Sequence, residues 1–325
     1  MDIANKEICE EELSVEECGK SLRGLPNNKV PGSDGFTSEF YKFFWPDIKD
    51  LVFSSFQTSF NEGVVSIEQR RAVLTLLPKQ NKDIRFLKNW RPLSLLNTDY
   101  KILTKLLAMR LQKVLPNIIS EDQAGCLKGR YIGENIRKII DIFEYTSMLN
   151  NPGLAAFLDF EKAFDTVSWQ FLFKTLKKFN FGTNFIKWIN VIYKKPLCCV
   201  INNGKASEFF EISRGIRQGC PISALLFILV AEVMAINIKN NNLIRGIQIG
   251  DQEIKLSQFA DDTTLFIKDI DSLNTTLHLL DHYKKCAGLN LNREKSEIIR
   301  LGISNLQPSK NGLKWVDGPI KTLGV

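Results

Sequence analysis

Two adjacent aspartates, Asp261 and Asp262, lie between two β-rich runs, residues 254–259 and 263–267. Polar and apolar side chains partly alternate in both runs, and β-branched and aromatic residues are frequent. This predicts two strands joined by a tight turn with the carboxylates at its tip. Like charges so close repel each other, and their pKa values rise unless a cation neutralises them. A divalent metal does this well, because hard cations prefer carboxylate oxygens. Taken alone, an Asp-Asp turn is simply solvated. It becomes a metal site only if the fold delivers a third carboxylate to it.

A chain of 325 residues suffices for one large domain or two smaller ones. Its 44% hydrophobic and 24% charged content argues against general disorder. The net charge of +7 favours an anionic partner, and nucleic acid fits better than an acidic small molecule. An ordinary basic globular protein would show the same balance. The seven cysteines are odd in number and form no Cys-x-x-Cys pair, and only His278 and His282 are available to join them. That argues against a disulfide scaffold or a zinc site and for reduced intracellular thiols. The acidic N-terminus lacks the apolar core of a signal peptide. The most apolar stretch, residues 220–238, is interrupted by Glu232 and Asn237 and is marginal in length for a membrane span. It predicts a buried helix, with no membrane partner.

Along the chain, Ser14-Val15-Glu16-Glu17 has the spacing of a capping box and predicts a short helix. Asp34 or Thr37 is placed to cap a helix carrying Phe40, Phe43, Phe44 and Phe56, with Pro46 set to kink or restart it. Residues 72–77 predict a strand. After Thr98 or Asp99 comes an amphipathic helix, with Ile102, Leu103 and Leu106 inward and Lys101, Lys105, Arg110 and Lys113 on a basic face. Residues 154–160 predict a short apolar strand with Asp159 near its end. Residues 197–202 and 207–212 predict a hairpin around Asn203-Gly204. Pro221 opens the apolar helix, Asp271 or Ser272 caps a helix ending near Gly288, and residues 296–301 predict another strand.

Asp159 is the candidate third carboxylate, in Leu158-Asp159-Phe160-Glu161-Lys162-Ala163-Phe164-Asp165. A buried strand that delivers an acid at its end places it well, against a solvation cost. Beside Asp261 and Asp262 it would make an anionic pocket. Two magnesium ions roughly 3.5–4 Å apart could there clamp the attacking and leaving oxygens of a phosphoryl transfer. On spacing alone, Asp165 is an equal candidate for the ligand, and Asp159 could instead cap a turn.

Eight ordered segments make a resemblance specific. Lys29-Val30-Pro31-Gly32-Ser33-Asp34-Gly35-Phe36 resembles the Pro-Gly-x-Asp-Gly motif of the reverse transcriptase domain of LINE-type, non-LTR retrotransposons. Leu77-Pro78-Lys79 and Trp90-Arg91-Pro92-Leu93-Ser94-Leu95 resemble its fingers motifs. Gln123-Ala124-Gly125-Cys126-Leu127-Lys128-Gly129-Arg130, with Asn135-Ile136, resembles its next segment. Residues 158–165 resemble polymerase motif A, Gly215-Ile216-Arg217-Gln218-Gly219-Cys220-Pro221-Ile222-Ser223 motif B, and Phe259-Ala260-Asp261-Asp262 motif C. Gly288-Leu289-Asn290-Leu291-Asn292 with Lys295 resembles motif D, and Leu323-Gly324-Val325 resembles the primer-grip motif E.

The resemblance implies an α+β, right-hand polymerase fold with no thumb in this stretch. A helical extension would cover residues 1–71 and helical fingers 72–153. A palm of antiparallel sheet backed by helices would cover 154–325, with fingers segments interleaved near 166–212. The implied enzyme is an RNA-directed DNA polymerase, joining a deoxynucleoside triphosphate to the 3′-hydroxyl of a DNA primer on an RNA template. Asp159, Asp261 and Asp262 would bind two Mg2+ ions, with Mn2+ able to substitute and the Phe160 carbonyl assisting. Lys295 would protonate the leaving pyrophosphate. Phe164 would be the steric gate against a ribose 2′-hydroxyl.

Further roles follow from the same resemblance. Gln218 and Gly219 would line the nucleotide pocket, and Lys79 and Arg91 would hold the triphosphate. Lys128, Arg130, Arg137, Arg214 and Arg217 are implied contacts to template or primer backbone, with Leu323 and Gly324 at the primer. Thr322 departs from the family's aromatic before Leu-Gly. An endonuclease before this stretch, and a thumb and a cysteine/histidine-rich region after it, are expected in the full-length protein. The expected location is intracellular, in nucleus and cytoplasm. A silent truncated remnant that only binds nucleic acid and a mobile-intron reverse transcriptase stay open as alternatives.

Overall fold

The computed structural model describes residues 3–80, 82–302, 312–318, 320, 322 and 323. The backbone divides into two compact units, Met1–Val114 with Leu176–Ser223, and Leu115–Thr175 with Ala224–Val325. In chain order the elements begin with α1 (Ile3–Glu10), α2 (Val15–Arg23), α3 (Ser38–Glu62), α4 (Ile67–Arg70), β1 (Arg71–Pro78), β2 (Trp90–Leu96) and α5 (Thr98–Val114). Next come α6 (Ile132–Met148), β3 (Gly153–Leu158), α7 (Ala163–Thr166), α8 (Trp169–Lys178), α9 (Thr183–Tyr193), β4 (Leu197–Asn202), β5 (Lys205–Ala206) and β6 (Phe210–Glu211). The last are α10 (Ser223–Lys239), β7 (Ile247–Ile249), β8 (Gln252–Ile254), β9 (Leu256–Phe259), β10 (Asp262–Ile267), α11 (Ile270–Ala287), β11 (Glu297–Leu301) and β12 (Lys314–Trp315).

In the first unit, Ser14 and Glu17 close the capping box that the sequence predicts. The helix it starts, α2, packs on α5, where Ser21 Oγ donates to the Ile102 carbonyl at 2.6 Å. Ile102, Leu103, Leu106 and Leu107 on α5 are buried. Arg110 departs from the basic face expected of α5, being only 2% exposed. Its Nη2 lies 2.6 Å and its Nε 2.9 Å from the Glu17 carboxylate, and the guanidinium also donates to the carbonyls of Glu11 and Glu12. Packing of the N-terminal segment over α5 is what removes this charge from solvent, a fact that helical periodicity alone does not contain. Thr37, not Asp34, caps α3, and the helix does not restart at Pro46 but runs on to Gly63 in the left-handed conformation.

The sheet of this unit runs in the order β2-β1-β4-β5, with β6 also paired to β4. β1 and β2 form an antiparallel hairpin over seven residue pairs, and β4 lies parallel to β1. Asn203 and Gly204 both take positive φ, 49° and 74°. That is the backbone a tight hairpin turn demands. The returning arm is split into β5 and β6, because the Val200 amide donates to the Ser207 hydroxyl instead of to a strand carbonyl.

In the second unit the sheet order is β12-β11-β3-β10-β9, antiparallel except for the β11–β12 pair. β3 is its central strand, and Leu154, Ala155 and Ala156 are fully buried there. Helix α10 is predominantly apolar and buried over most of its length, and the Tyr283 hydroxyl donates to its Val230 carbonyl. Among the described residues no helix is long and apolar enough to cross a membrane. The cap of α11 is Asp269, which accepts from the Ser272 amide at 2.8 Å, and not Asp271 or Ser272. The helix starts at Ile270, directly after the Lys268-Asp269 bend, so its boundary lies two residues earlier than expected.

Burial would raise the Glu17 carboxyl, but the hydrogen bonds and charge of Arg110 outweigh it and hold the group below its usual value. Arg110→Ala is expected to destabilise the chain by about 1–3 kcal/mol near neutral pH, less than for a fully buried pair because the Glu17 carboxylate is partly open to solvent. Because the folded-state value is depressed, this contribution is present above the ordinary carboxylate range and fades as pH falls through the folded value. Denaturant melts of both proteins at neutral and acid pH test this, and a penalty that does not shrink in acid contradicts it.

Candidate active site

The register of β3 and β10 pairs Leu158 with Thr263, so one step further along the same ladder Asp159 stands opposite Asp262. β9 and β10 pair Phe259 with Asp262, which leaves Ala260 and Asp261 as a two-residue turn. Three acids therefore lie at one end of the sheet, and of the two candidates that spacing left open, Asp159 is the one that the register sets opposite Asp262. Desolvation by the surrounding protein raises the Asp262 carboxyl above the usual range, and the charges of Asp261 and then Asp159 add to it. Among the described residues no group of three or more acidic, histidine or cysteine side chains is placed to hold a metal ion. The three carboxylates share one field without meeting at one point.

Backbone hydrogen bonds hold this end of the sheet in place. The Asp159 amide donates to Ser296 Oγ at 3.1 Å, and its carbonyl accepts from the Asn292 amide at 2.8 Å. Ser296 is fully buried, and its hydroxyl passes on to the Asn292 carbonyl at 2.8 Å. Phe160 bridges to Leu291, and the Glu161 amide donates to the Asn290 carbonyl. This stitching carries Lys295 to the acids, with Nζ 3.8 Å from Asp159 Oδ2. Phe164, on α7, stacks on Phe227 with ring centroids 4.5 Å apart.

The turn itself is gripped from the segment before α6. Ala260 takes a φ of 55°, a left-handed conformation that costs a non-glycine residue of order 1–3 kcal/mol. The Gln123 side chain, fully buried, accepts from the Ala260 amide at 2.8 Å and donates to the Ala260 carbonyl at 3.2 Å. A Cβ on Gly125 would lie 2.2 Å from the Ala260 nitrogen, so only glycine permits this approach.

In the first unit, Arg91 on β2 is opposite Leu77 and exposed, and Lys79 follows directly after β1 with Nζ donating to the Lys88 carbonyl at 3.0 Å. The Gln218 carbonyl accepts from the Ser94 amide at 2.9 Å. Gly219 has a φ of 104° and packs so tightly that a Cβ would meet the Ser94 carbonyl at 2.6 Å. Lys79, Arg91, Gln218 and Gly219 thus belong to one hairpin and the loop docked on it. Arg214 is exposed, whereas Arg217 is only 6% exposed, lies 5.2 Å over the Tyr100 ring and donates to the Arg70 carbonyl.

The remaining basic positions also divide. Lys128 is exposed, and Arg137 pairs with Asp141 one helical turn on. Arg130 donates to the carbonyls of Ile119, Ser120 and Gln123, which makes it a brace for its own loop. Leu323 packs against the core cluster of Ile139, Ile142 and Phe266, and Gly324 lies outside the described residues. Sequence reasoning assigned no role to Gln123, Asn292 or Ser296. Gln123 and Asn292 sit inside recognised segments and Ser296 directly after one, but the bonds that tie them to Ala260 and Asp159 cross more than a hundred residues, and no local pattern signals them.

A family model described as reverse transcriptase (RNA-dependent DNA polymerase) matches residues 77–325. The chain is 34% identical to the transposon TX1 uncharacterized 149 kDa protein of Xenopus laevis over 323 residues, covering 98% of this chain and 25% of that protein. It is 26% identical to the Pol polyprotein from retrotransposable element R2 of Popillia japonica, covering 90% of this chain and 40% of that protein. With the RNA-directed DNA polymerase from the mobile element jockey of Drosophila melanogaster it shares 23% identity, over 87% of this chain and 31% of that protein. The chain thus spans between 25% and 40% of the length of these relatives. Its fold is similar to a solved apo telomerase from Candida Tropicalis, with a TM-score of 0.53 at 14% identity, covering 85% of this chain and 59% of that one. The chain belongs to the reverse transcriptase (RNA-dependent DNA polymerase) family, among relatives that are non-LTR retrotransposon proteins, and has the right-hand polymerase fold.

Proposed function

We propose that this chain is the RNA-directed DNA polymerase core of a LINE-type retrotransposon protein, extending a DNA primer on an RNA template. The observation that carries the reading is the placement of Asp159, Asp261 and Asp262 at one end of the sheet, where burial and then the charges of Asp261 and Asp159 raise the Asp262 carboxyl. The family uses divalent metal ions, and an all-carboxylate donor set suits a hard cation, which favours Mg2+ with Mn2+ as substitute. Asp159, Asp261 and Asp262 would hold the ions, with the Phe160 carbonyl beside them. When bound, the ions neutralise charge on the attacking and leaving oxygens of the phosphoryl transfer.

The chain's own side chains supply orientation and charge. Lys79 and Arg91 hold the triphosphate, where fixed cations stabilise charge that grows in the transition state. Gln218 and Gly219 present backbone to the nucleotide, glycine allowing close approach. Phe164, braced by Phe227, excludes a 2′-hydroxyl. As the primer 3′-hydroxyl gives up its proton to solvent and its oxygen bonds to the α-phosphorus, the bond to pyrophosphate breaks and Lys295 donates a proton to the leaving oxygen. Exposed Lys128, Arg137 and Arg214 are suited to phosphate contacts on template or primer. Arg130 and Arg217 act inside the fold instead. The family resemblance favours work in nucleus and cytoplasm.

Primer extension on an RNA template with deoxynucleotides and Mg2+ tests the reading. Asp261→Asn is expected to lower the rate at least about 10³-fold, several kcal/mol of lost charge stabilisation. Unchanged activity would sink the assignment. Because the Asp262 carboxyl is raised in the folded state, its ionised form opposes folding at neutral pH, and this destabilisation is relieved as pH falls below the raised value. Asp262→Asn should therefore raise the melting temperature slightly in metal-free buffer at neutral pH, and remove the added stability that Mn2+ gives the wild type. Phe164→Val should let ribonucleotides compete with deoxynucleotides in the same extension assay, and unaltered discrimination would reject the gate.

A further inference from the structure

We propose that Gln123 is a positioning residue for the carboxylate turn. By fixing the backbone of Ala260 it sets how Asp261 and Asp262 present their oxygens to a divalent cation. This rests on the reading of those aspartates as metal ligands.

The turn carries a cost that something must hold in place. Ala260 has the left-handed φ, without the freedom of glycine. Such conformations persist only where the surroundings over-determine them. Gln123 satisfies both backbone polar groups of Ala260 with one side chain, its Oε1 taking the amide and its Nε2 reaching the carbonyl. The same Oε1 accepts from the Gly125 amide at 2.8 Å, which fixes the carboxamide's orientation. The segment that carries Gln123 is anchored on the strand before the turn. The Ala124 amide donates to the Gln258 carbonyl at 2.9 Å, and the Gln258 amide donates to the Asp122 carbonyl at 2.7 Å. Asn135 Nδ2 adds bonds to the Gln258 carbonyl and to Ser257 Oγ. A short parallel bridge, Gln123 to Gln258, thus extends the sheet beside β9 and ends in the clamp.

The chemistry of the side chain is specific. Clamping one residue's amide and carbonyl together needs an acceptor and a donor in a single group, which a carboxamide supplies and a carboxylate does not. A glutamate here would also turn an oxygen towards the Ala260 carbonyl and add a fourth negative charge to the cluster. Asparagine is one methylene short of the same reach. Gly125 is the second half of the device, since any Cβ there would push on the Ala260 nitrogen.

Equilibrium binding of Mn2+ to the full chain, followed by calorimetry well below each protein's melting temperature, tests the proposal. Gln123→Ala and the volume-keeping Gln123→Met should each weaken Mn2+ affinity about 10–100-fold, the usual effect of losing an outer-shell partner. Gly125→Ala should do the same. Thr276→Val removes a buried hydroxyl bond within α11, away from the turn, and serves as the stability control. It should lower the melting temperature and leave Mn2+ affinity as in the wild type. Wild-type affinity in both Gln123 variants overturns the proposal, as does an equal loss in Thr276→Val. If wild type and Asp261→Asn bind Mn2+ alike, the metal-site reading itself falls and takes the proposal with it. Loss in Asp261→Asn without loss in the Gln123 variants overturns the positioning role alone. In primer extension, the Gln123 variants should shift the Mg2+ requirement upward while leaving the deoxynucleotide KM unchanged.

Discussion

Electrostatic repulsion among Asp159, Asp261 and Asp262 is the constraint that the second unit is built to withstand. Three acids converge where β3 meets β10 and where β9 turns into β10, and the Asp262 carboxyl is raised there by burial first and by the charges of Asp261 and Asp159 after it. The acids cannot hold one another, so the surrounding backbone does. Ser296 and Asn292 hold Asp159 from one side of β3, and Gln123 holds Ala260 from beyond β9. Both Ser296 and Gln123 are fully buried, where a hydrogen bond is not in competition with water and a lost partner is expensive. Placement of the acids thus depends on side chains that carry no charge.

The basic surplus of the chain is used in two ways that composition merges. Arg110, Arg130 and Arg217 each donate to backbone carbonyls, and Arg110 and Arg217 are nearly inaccessible. Guanidinium suits this work, because its planar array of donors can satisfy several acceptors at once. Lys79, Arg91, Lys128 and Arg214 keep their positions at or near the surface. The net charge of +7 therefore overstates what is available to a polyanion, since part of it is spent in bracing loops. The same division explains why Arg217, next to Gln218 in sequence, does a different job: the loop turns its side chain inward over Tyr100 while the Gln218 carbonyl faces Ser94.

Local features were legible without coordinates where the physics is local. The Ser14 capping box, the Asn203-Gly204 turn and the Gly288 cap each depend on a few consecutive residues, and each stands as the sequence predicts. Expectations moved where distant packing intervened. Of the two outcomes expected at Pro46, a restart of α3 does not occur, since the helix runs on from Ser38 to Glu62. Arg110 belonged to a solvent-facing stripe by periodicity, but the N-terminal segment covers that face. The cap of α11 fell to Asp269, two residues earlier than the polar cluster suggested.

The sequence by itself determined the chemistry on offer: an Asp-Asp turn between strands, an acid at the end of an apolar strand, glycine loops and a basic balance, in an order that a reverse transcriptase shares. Residue type and short-range spacing are enough for that, because strand and turn preferences act over a few residues. Only the tertiary structure decided which acid lies opposite Asp262, since strand register sets Asp159 there by a pairing across about a hundred residues of chain. It also decided which arginines are structural, and that Gln123 grips the turn. Those outcomes rest on hydrogen bonds between segments far apart in sequence, and no local pattern encodes them.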